Sequence, residues 1–448
     1  MLKLKDIQKI YFIGVGGIGM SALARYFNQN GKEVFGYDKI ETSLTRKLVK
    51  EGIEIHYKDD VTQIPKNIDL VVFTPAVPST HAELTYFRTN GFPVKKRAEV
   101  LGLISKEKQT IAIAGTHGKT STCSILTYLL KVGGIDCTAF LGGIAYNFGS
   151  NYIAGQSDWV VVEADEYDRS FLHLHPKIAT VLSMDADHLD IYGSAKKVEE
   201  SFNQFVAKVK KNGLVFYKNN LPLKVKKEAY TYGLDEATYC ATNIRVEDGF
   251  FVFDYKSPLE NINKIRFALP GHHNIENATV AIAIAQQLGI KAAAIKEAML
   301  TFKGIKRRFE TICRTDKVVY IDDYAHHPTE LNAAINAART LFPKRKITGV
   351  FQPHLFSRTK DFAKGFAAAL DELDEIILLD IYPARELPIA GVSSAIILDQ
   401  MKNKKKVLLH KPELMQRLSE MNLDVLLTLG AGDINTFVEP IKKMLVNE

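Results

Sequence analysis

Twice in this chain a short apolar run breaks on a glycine-rich turn and resumes as a helical pattern. The first is Ile10-Tyr11-Phe12-Ile13 running into Gly14-Val15-Gly16-Gly17-Ile18-Gly19. The second is Ile111-Ala112-Ile113-Ala114 running into Gly115-Thr116-His117-Gly118-Lys119-Thr120-Ser121. A strand that ends in glycines and opens a helix points backbone N–H groups at one spot, where an anion can sit. Around these turns β-branched runs alternate with helical patterns for most of the length, which calls for parallel α/β layers. The pattern predicts strands over Ile10–Val15, Glu33–Tyr37, Leu70–Phe73, Thr110–Ala114, Trp159–Glu163 and Ile178–Met184, then over Val318–Asp322, Lys346–Phe351, Glu375–Ile381 and Val425–Leu429. Helices are expected over Gly19–Gln29, Lys119–Val132, Asn277–Gln287, Glu330–Leu341 and Asp361–Leu373. The stretch Tyr230–Leu269 departs from this, because alternating segments around Asp248-Gly249 read as antiparallel hairpins beside a parallel sheet.

A chain of 448 residues is long enough for about three domains. Candidate boundaries are Ser105–Lys108 and Lys303–Glu310. The excess of 58 basic over 51 acidic residues is spread out, with no block of five like charges. That distribution suits a phosphorylated small molecule at least as well as nucleic acid, and no nucleic-acid partner is expected. Four cysteines with no CxxC spacing exclude a disulfide framework and a thiolate metal site, and point to a reducing, cytoplasmic setting. The N-terminus imitates a signal peptide, but Asp6 in its basic part and four glycines in its apolar part speak against export. With no apolar run of 18 residues elsewhere, no membrane span is expected.

Within the first turn, Gly16, Gly17, Ile18 and Gly19 open the helix, and Asp38 ends the next strand, placed for a ribose or base edge. This fingerprint reports a diphosphate and does not name the nucleotide, so NAD stays open at this point. In the second turn Lys119 is placed to reach β- and γ-phosphates, the loop amides to cradle them and Thr120 to ligate Mg²⁺. The general phosphate-loop pattern wants Gly at position 113, where this chain has Ile. A dehydrogenase needs the first turn and has no use for a γ-phosphate lysine. Further on, Glu163-Ala164-Asp165-Glu166 and Asp185-Ala186-Asp187-His188 end apolar runs, where carboxylates face the ligand crevice and can hold Mg²⁺. Histidines gather in these turns and in Asp322-Asp323-Tyr324-Ala325-His326-His327-Pro328 and Phe351-Gln352-Pro353-His354. Arg358 lies in the loop beyond, suited to clamp a carboxylate.

Together these residues resemble the Mur ligases, the ATP-dependent amide-forming enzymes of peptidoglycan assembly, from Gly14 to about Gly432. AGTHGKTS is that family's form of the phosphate loop, which accounts for Ile113. Four segments, GVGGIGMSALA, EADEYDRSFLHLHP, DDYAHHP and FQPHLFSRT, are similar to the member that adds L-alanine to UDP-N-acetylmuramate. The alternative within the family is the ligase that recycles murein tripeptide onto the same sugar nucleotide.

The resemblance implies an α/β fold of three domains. A Rossmann-like domain at 1–106 would bind the UDP sugar, which removes the NAD reading. A central P-loop ATPase-type parallel sheet with an antiparallel flank, at 107–308, would bind ATP. A Rossmann-like α/β domain at 309–448 would bring the amino acid and close over the site. It further implies that Gly115, Thr116, His117, Gly118, Lys119, Thr120 and Ser121 hold ATP, with Asn277 on adenine, Asp322 on ribose and Arg308 on the phosphate side, where Arg307 competes. Two Mg²⁺ ions are implied, one on Thr120 and Glu163 and one on His188. Gly16, Gly17, Ile18, Gly19, Asp38, Ser170 and His173 would contact the UDP sugar, and Tyr324, His326 and Arg358 the alanine, with Lys119, Glu163, His188 and Arg358 as the catalytic set. Leu355 stands where some relatives have a second arginine. Asn203 stands near the place where sister enzymes carry a carbamylated lysine, so no modified lysine is expected. The implied setting is peptidoglycan precursor synthesis in the cytoplasm, on which cell shape and division depend, by a monomer or weak homodimer.

Overall fold

A computed structural model describes residues 3–446 apart from 186–188 and 385. It contains three sheets. The first joins β1 (Lys9–Ile13), β2 (Glu33–Tyr37), β3 (Glu54–His56), β4 (Leu70–Phe73) and β5 (Val94–Lys96) in the order β3-β2-β1-β4-β5. Every pair is parallel. Residues Ile10–Ile13 and Leu70–Val72 are buried outright, as expected of central parallel strands covered on both faces. The strand order reverses beside β1, and the glycine turn leaves β1 at that point, where α/β sheets form their ligand crevice. Helix α1 (Ile18–Gln29) starts directly from Gly17.

The second sheet has ten strands. Its first seven are β6 (Gln109–Ala114), β7 (Thr138–Ala145), β8 (Ser150–Ile153), β9 (Trp159–Ala164), β10 (Ile178–Val181), β11 (Leu214–Lys218) and β12 (Glu228–Gly233), in the order β12-β11-β10-β6-β9-β7-β8. All these pairs are parallel except the β7–β8 hairpin. Strand β6 again sits where the order reverses, and the phosphate loop leaves its C-terminal end. The expected flank is present as β13 (Tyr239–Glu247), β14 (Phe250–Lys256) and β15 (Ile262–Phe267). Asp248 and Gly249 both take left-handed φ values, +50° and +78°, as a tight type I′ hairpin turn requires. One detail differs from expectation: β12 and β13 pair in parallel, Tyr232 opposite Tyr239.

The third sheet joins β16 (Glu310–Arg314), β17 (Val319–Asp323), β18 (Ile347–Phe351), β19 (Glu375–Leu379), β20 (Lys406–Leu409) and β21 (Val425–Leu429) in the order β16-β17-β21-β18-β19-β20. Only the β16 edge is antiparallel. Two apolar clusters cover its faces, one around Phe351, Phe366 and Leu427 and one around Tyr320, Val350 and Leu426.

By contacts the chain falls into two compact units, Met1–Asn243 with Phe253–Arg266 and Glu276–Lys303, and Ile244–Val252 with Phe267–Ile275 and Gly304–Glu448. The first two sheets therefore share a unit, and one apolar cluster runs from Phe27 and Val34 to Phe140 and Val162. Inside it Arg25 is 5% exposed, its guanidinium held by Glu51 (2.6 Å) and by Asn151 of β8 (2.5 Å). A charge this deep is tolerated only because both ends of its fork are bonded.

The helices that position the functional side chains, besides α1, are α2 (Ala82–Thr89), α3 (Arg97–Glu107), α4 (Lys119–Val132), α5 (Ala195–Ala207), α6 (His272–Gln287), α7 (Pro328–Leu341) and α8 (Phe356–Leu370). Helix α8 begins earlier than the pattern suggested. Leu355 caps it with φ +71°, its N–H bonded to the Tyr382 carbonyl (2.9 Å), and the loop residue Glu386 takes the Ser357 N–H (2.9 Å). Arg358 thus belongs to a helical first turn and is not a loop residue. No helix among the described residues is long and apolar enough to cross a membrane.

Candidate active site

At the first glycine turn, the Gly16 N–H donates to Asp38 Oδ2 at 2.7 Å. A Cβ on Gly16 would lie 2.8 Å from that oxygen and 2.7 Å from Thr45 Cγ2, so glycine is the residue that lets Asp38 close against the turn. Gly17 caps α1 with no side-chain partner for the first amides, and Ile18 is exposed beside them. The structure adds a residue that sequence reasoning missed. Arg97, the first residue of α3, lays its guanidinium along Gly19, with Nη1 3.0 Å from where a Cβ would stand. Nothing in the linear pattern signals this, because Arg97 arrives through β4–β5 pairing.

Ser170 and His173 lie on the 3₁₀ segment Tyr167–His173. Asp168 and Arg169 take left-handed φ values of +51° and +54°, and Asp168 pairs with Lys96 at 2.7 Å. Ser170 is half-buried. His173 is exposed, and its carbonyl rather than its ring packs on α3, where a Cβ on Gly102 would meet it at 2.6 Å.

The phosphate loop is fully formed. Gly115 and Gly118 take φ +144° and +83°, and Gly118 caps α4. Asn277 of α6, buried, packs on that loop, its Oδ1 2.7 Å from a Cβ built on Gly118. Position 118 therefore requires glycine for its φ and for its neighbour. Thr116 Oγ1 and the His117 N–H both bond to Ser183 Oγ (2.8 and 3.0 Å), and His117 Nε2 pairs with Asp185 at 3.0 Å. Ser121, in the first turn of α4, is buried.

Lys119 donates to the Gly115 carbonyl (2.6 Å) and to Glu166 Oε2 (2.7 Å). Glu166 is 2% exposed, and Tyr192 donates to its backbone carbonyl at 2.6 Å. Burial opposes the Lys119 ammonium, yet the carboxylates of Glu166, Asp165 and Glu163 outweigh it and hold the lysine above its ordinary range. Burial raises the Glu166 carboxyl while Lys119 pulls it back, so the two form a charged pair. Glu163 accepts from Thr120 Oγ1 (3.0 Å) and from the Gly142 N–H. Thr120 and Glu163 thus present a hydroxyl and a carboxylate oxygen side by side, hard donors of the kind Mg²⁺ takes. His188 lies outside the described residues. Asn203 is engaged structurally, donating to the Glu199 carbonyl and accepting the Lys224 N–H (3.0 and 2.7 Å).

In the second unit Asp322, expected at a ribose, faces inward instead. It is wholly buried, with Oδ2 on Arg307 Nε (2.8 Å) and Oδ1 accepting from Thr428 (2.7 Å). Arg307, at φ +62°, also donates to the Gly430 carbonyl (2.7 Å). Arg308 lies over the Tyr324 ring at 5.2 Å and makes no ion pair among the described residues. Next to it burial lifts Asp323 to about 6, against the pull of Arg308 and two backbone N–H bonds. Burial likewise pushes His273 down to about 4, with Arg308 adding to the effect.

Tyr324, His326, His354 and Arg358 gather at the C-terminal ends of β17 and β18. His326 packs edge-on against Tyr324 (5.2 Å between ring centres) and His354 (6.0 Å). Arg358 is 7% exposed, with Nη1 3.4 Å from His354 Nδ1. A third cluster, Asp59, His81 and Glu83 in the first sheet's unit, has carboxylates already engaged. Asp59 takes the Ala82 and Glu83 N–H groups (2.9 and 3.1 Å), and Glu83 takes the Tyr11 hydroxyl (2.6 Å) and the Asp60 N–H (3.1 Å). That network caps α2.

Three family models match in succession: "Mur ligase family, catalytic domain" over residues 9–109, "Mur ligase middle domain" over 113–285, and "Mur ligase, glutamate ligase domain" over 307–432. A UDP-N-acetylmuramate–L-alanine ligase of Flavobacterium psychrophilum is 53% identical over 449 residues, 99% of each chain. One of Porphyromonas gingivalis is 47% identical, covering 98% of this chain and 99% of its own. The crystal structure of UDP-N-acetylmuramate-alanine ligase from Thermotoga maritima superposes with a TM-score of 0.84 at 29% identity, covering 98% of this chain and all of that one. A murein peptide ligase from Psychrobacter arcticus shares the fold at 21% identity and a TM-score of 0.72. Two glycine turns at sheet switch points, a lysine and two oxygen donors converging at the second turn, and family matches along almost the whole length agree: the chain belongs to the Mur ligase family.

Proposed function

We propose that this enzyme uses ATP to couple L-alanine to the lactyl carboxylate of UDP-N-acetylmuramate, giving UDP-N-acetylmuramoyl-L-alanine, ADP and phosphate in peptidoglycan precursor synthesis. The observation that carries it is Lys119 in a formed phosphate loop beside the paired oxygens of Thr120 and Glu163, in a chain 53% identical to a relative of that name over its full length. On this reading 1–106 takes the UDP sugar, 107–308 the ATP and 309–448 the amino acid.

The lactyl carboxylate attacks the γ-phosphorus, and the acyl phosphate formed is then opened by the amine. Charge spreads over the three oxygens of the transferring group, where preorganised donors act. Lys119 exchanges its bond to Glu166 for phosphate oxygens, and the amides of Gly115–Ser121 hold the rest of the chain of phosphates. One Mg²⁺ ion would be held by Thr120 and Glu163 and a second by His188, and the two would neutralise phosphate charge. Arg308, which makes no ion pair among the described residues, is the phosphate-side arginine of its pair, while Arg307 is fixed by Asp322. Asn277 borders the loop on the adenine side. The amides of Gly16–Gly19, with Arg97 across them, hold the UDP diphosphate, and Asp38 the uridine side. Ser170 and His173 complete the sugar's surroundings. Tyr324, His326 and Arg358 hold the alanine.

The test is phosphate release from ATP with Mg²⁺ and UDP-N-acetylmuramate, with and without L-alanine. Release that needs both supports the reading; release only when murein tripeptide replaces alanine refutes it in favour of the recycling reaction. A second prediction concerns the first turn. Gly16→Ala must push Asp38 or Thr45 aside, at about 1–3 kcal/mol. The affinity for UDP-N-acetylmuramate is expected to fall by about tenfold or more, while the KM for ATP stays put. Calorimetric titration that finds unchanged affinity would show that the diphosphate does not use this turn.

A further inference from the structure

We propose that His326 is the base that takes the proton from the L-alanine ammonium, with Glu330 as its positioning residue. This deepens the reading above and rests on it. Helix α7 opens at His327, whose Nδ1 accepts the Thr329 N–H (3.3 Å), followed by Pro328. From the first turn Glu330 reaches back: Oε2 accepts the His326 N–H at 3.0 Å and lies 3.1 Å from His326 Nδ1. The Tyr324 carbonyl lies 3.0 Å from the same ring nitrogen. Two acceptors converge on Nδ1, so that nitrogen carries the proton, and the neutral ring keeps its lone pair on Nε2. The helix N-terminus favours an ionised Glu330, which holds this tautomer and stabilises the imidazolium when it forms. The same division of labour between carboxylate and imidazole serves other general bases.

The other charged and titratable groups around the ring are consistent with this role. His354, from the β18–α8 connection, faces it edge-on; a guanidinium only donates, so His354 Nδ1 is an acceptor toward Arg358. Tyr324 faces it from the β17 end and carries the guanidinium groups of Arg307 and Arg308 over its own ring, at 5.3 and 5.2 Å. Among the described residues Glu330 is the carboxylate that reaches the imidazole. His354 is the shared neighbour of His326, 6.0 Å away between ring centres, and of Arg358, whose Nη1 is 3.4 Å from its Nδ1.

The proton inventory closes. Nε2 takes one proton from the –NH₃⁺ group, and the amine lone pair forms the C–N bond. The acyl C–O bond to phosphate breaks, the second N–H proton leaves with the phosphate as hydrogenphosphate, and His326 returns its proton to water. Hydroxylamine, neutral at assay pH, needs no such base and traps the acyl phosphate as a hydroxamate.

The experiment uses the full-length enzyme with ATP, Mg²⁺ and UDP-N-acetylmuramate, offering L-alanine or hydroxylamine to the wild type, His326→Gln and Glu330→Gln. For His326→Gln the rate with L-alanine is expected to fall by about 10²–10⁴-fold, and hydroxamate formation by no more than about threefold. For Glu330→Gln the rate with L-alanine should fall by about tenfold or more and hydroxamate formation by no more than about threefold, because Glu330 serves only the step that needs the base. Equal losses with both nucleophiles in either variant, or no loss with L-alanine, overturn the proposal. If the wild type ligates alanine but yields no hydroxamate, acyl phosphate captured by borohydride reduction without L-alanine decides: capture at the wild-type level in His326→Gln supports the proposal, and its loss there overturns it. Absence of phosphate release by the wild type with L-alanine would instead overturn the reading of the reaction.

Discussion

Replacing Lys119 with alanine is expected to lower ATP-dependent phosphate release by about 10²–10³-fold or more, the loss seen when a preorganised charge-stabilising donor is removed. UDP-N-acetylmuramate affinity should be unchanged, because the first glycine turn does not involve that lysine. The structure adds a second consequence. Glu166 is 2% exposed and the lysine is its ionic partner, so the substitution leaves a buried carboxylate without compensation. Removing one member of such a pair destabilises a fold by about 3–5 kcal/mol. The deficit should shrink as pH falls. A buried acid whose folded pKa is raised binds its proton more tightly in the folded state than in the unfolded one, so stability is gained on acidification and lost as pH rises. The double substitution Lys119→Ala with Glu166→Gln is expected to recover most of the stability and none of the activity. Phosphate release and urea unfolding at two pH values check this. Phosphate release within tenfold of wild type in Lys119→Ala would remove the lysine from the chemistry, and an undiminished unfolding free energy would show that Glu166 does not depend on it.

Arg358→Ala is expected to raise the KM for L-alanine by about two to three orders of magnitude, the effect of removing one partner of a desolvated, hydrogen-bonded charge pair. KM for ATP should change by no more than about twofold. Two features of the structure set this size. Arg358 is 7% exposed, and it occupies the first turn of α8, where the helix N-terminus adds its own attraction for a carboxylate. Leu355, which caps that turn, sits at φ +71°, a conformation that costs a non-glycine residue about 1–3 kcal/mol and is held by the bond from its N–H to the Tyr382 carbonyl. Arg358→Lys should recover little, since an ammonium cannot reproduce the planar fork on a carboxylate. Steady-state kinetics with each substrate varied decide the matter. A variant in which KM for ATP rises and KM for alanine does not would place the amino-acid carboxylate elsewhere.

Both glycine turns, the strands that feed them and helix α4 were legible in the chain itself. A strand, a tight turn and a helix follow one another covalently, and the φ values the turn demands leave glycine as the residue able to supply them. Lys119, Thr120 and the oxygens of Glu163 could be named for the same reason, as each stands at the end of a recognisable strand or start of a recognisable helix. Short strands such as β3 and β5 escaped, being three residues each and only half-buried, too brief for a period to show. The start of α8 escaped because its cap is a leucine in a left-handed conformation and its capping carboxylate comes from Glu386, a loop away.

Other features followed only from the tertiary structure. Arg97 against Gly19, Glu166 holding Lys119, the Gly142 amide on Glu163, Asn277 on Gly118 and Asp322 turned inward onto Arg307 all depend on strand order, register and helix packing. The chain by itself determined which residues could carry charge and phosphate at the ends of its strands. Which of them face a ligand and which hold one another in place was decided only when the sheets closed, because desolvation and hydrogen-bond partners are properties of the packed neighbourhood and not of the neighbouring residue in the chain.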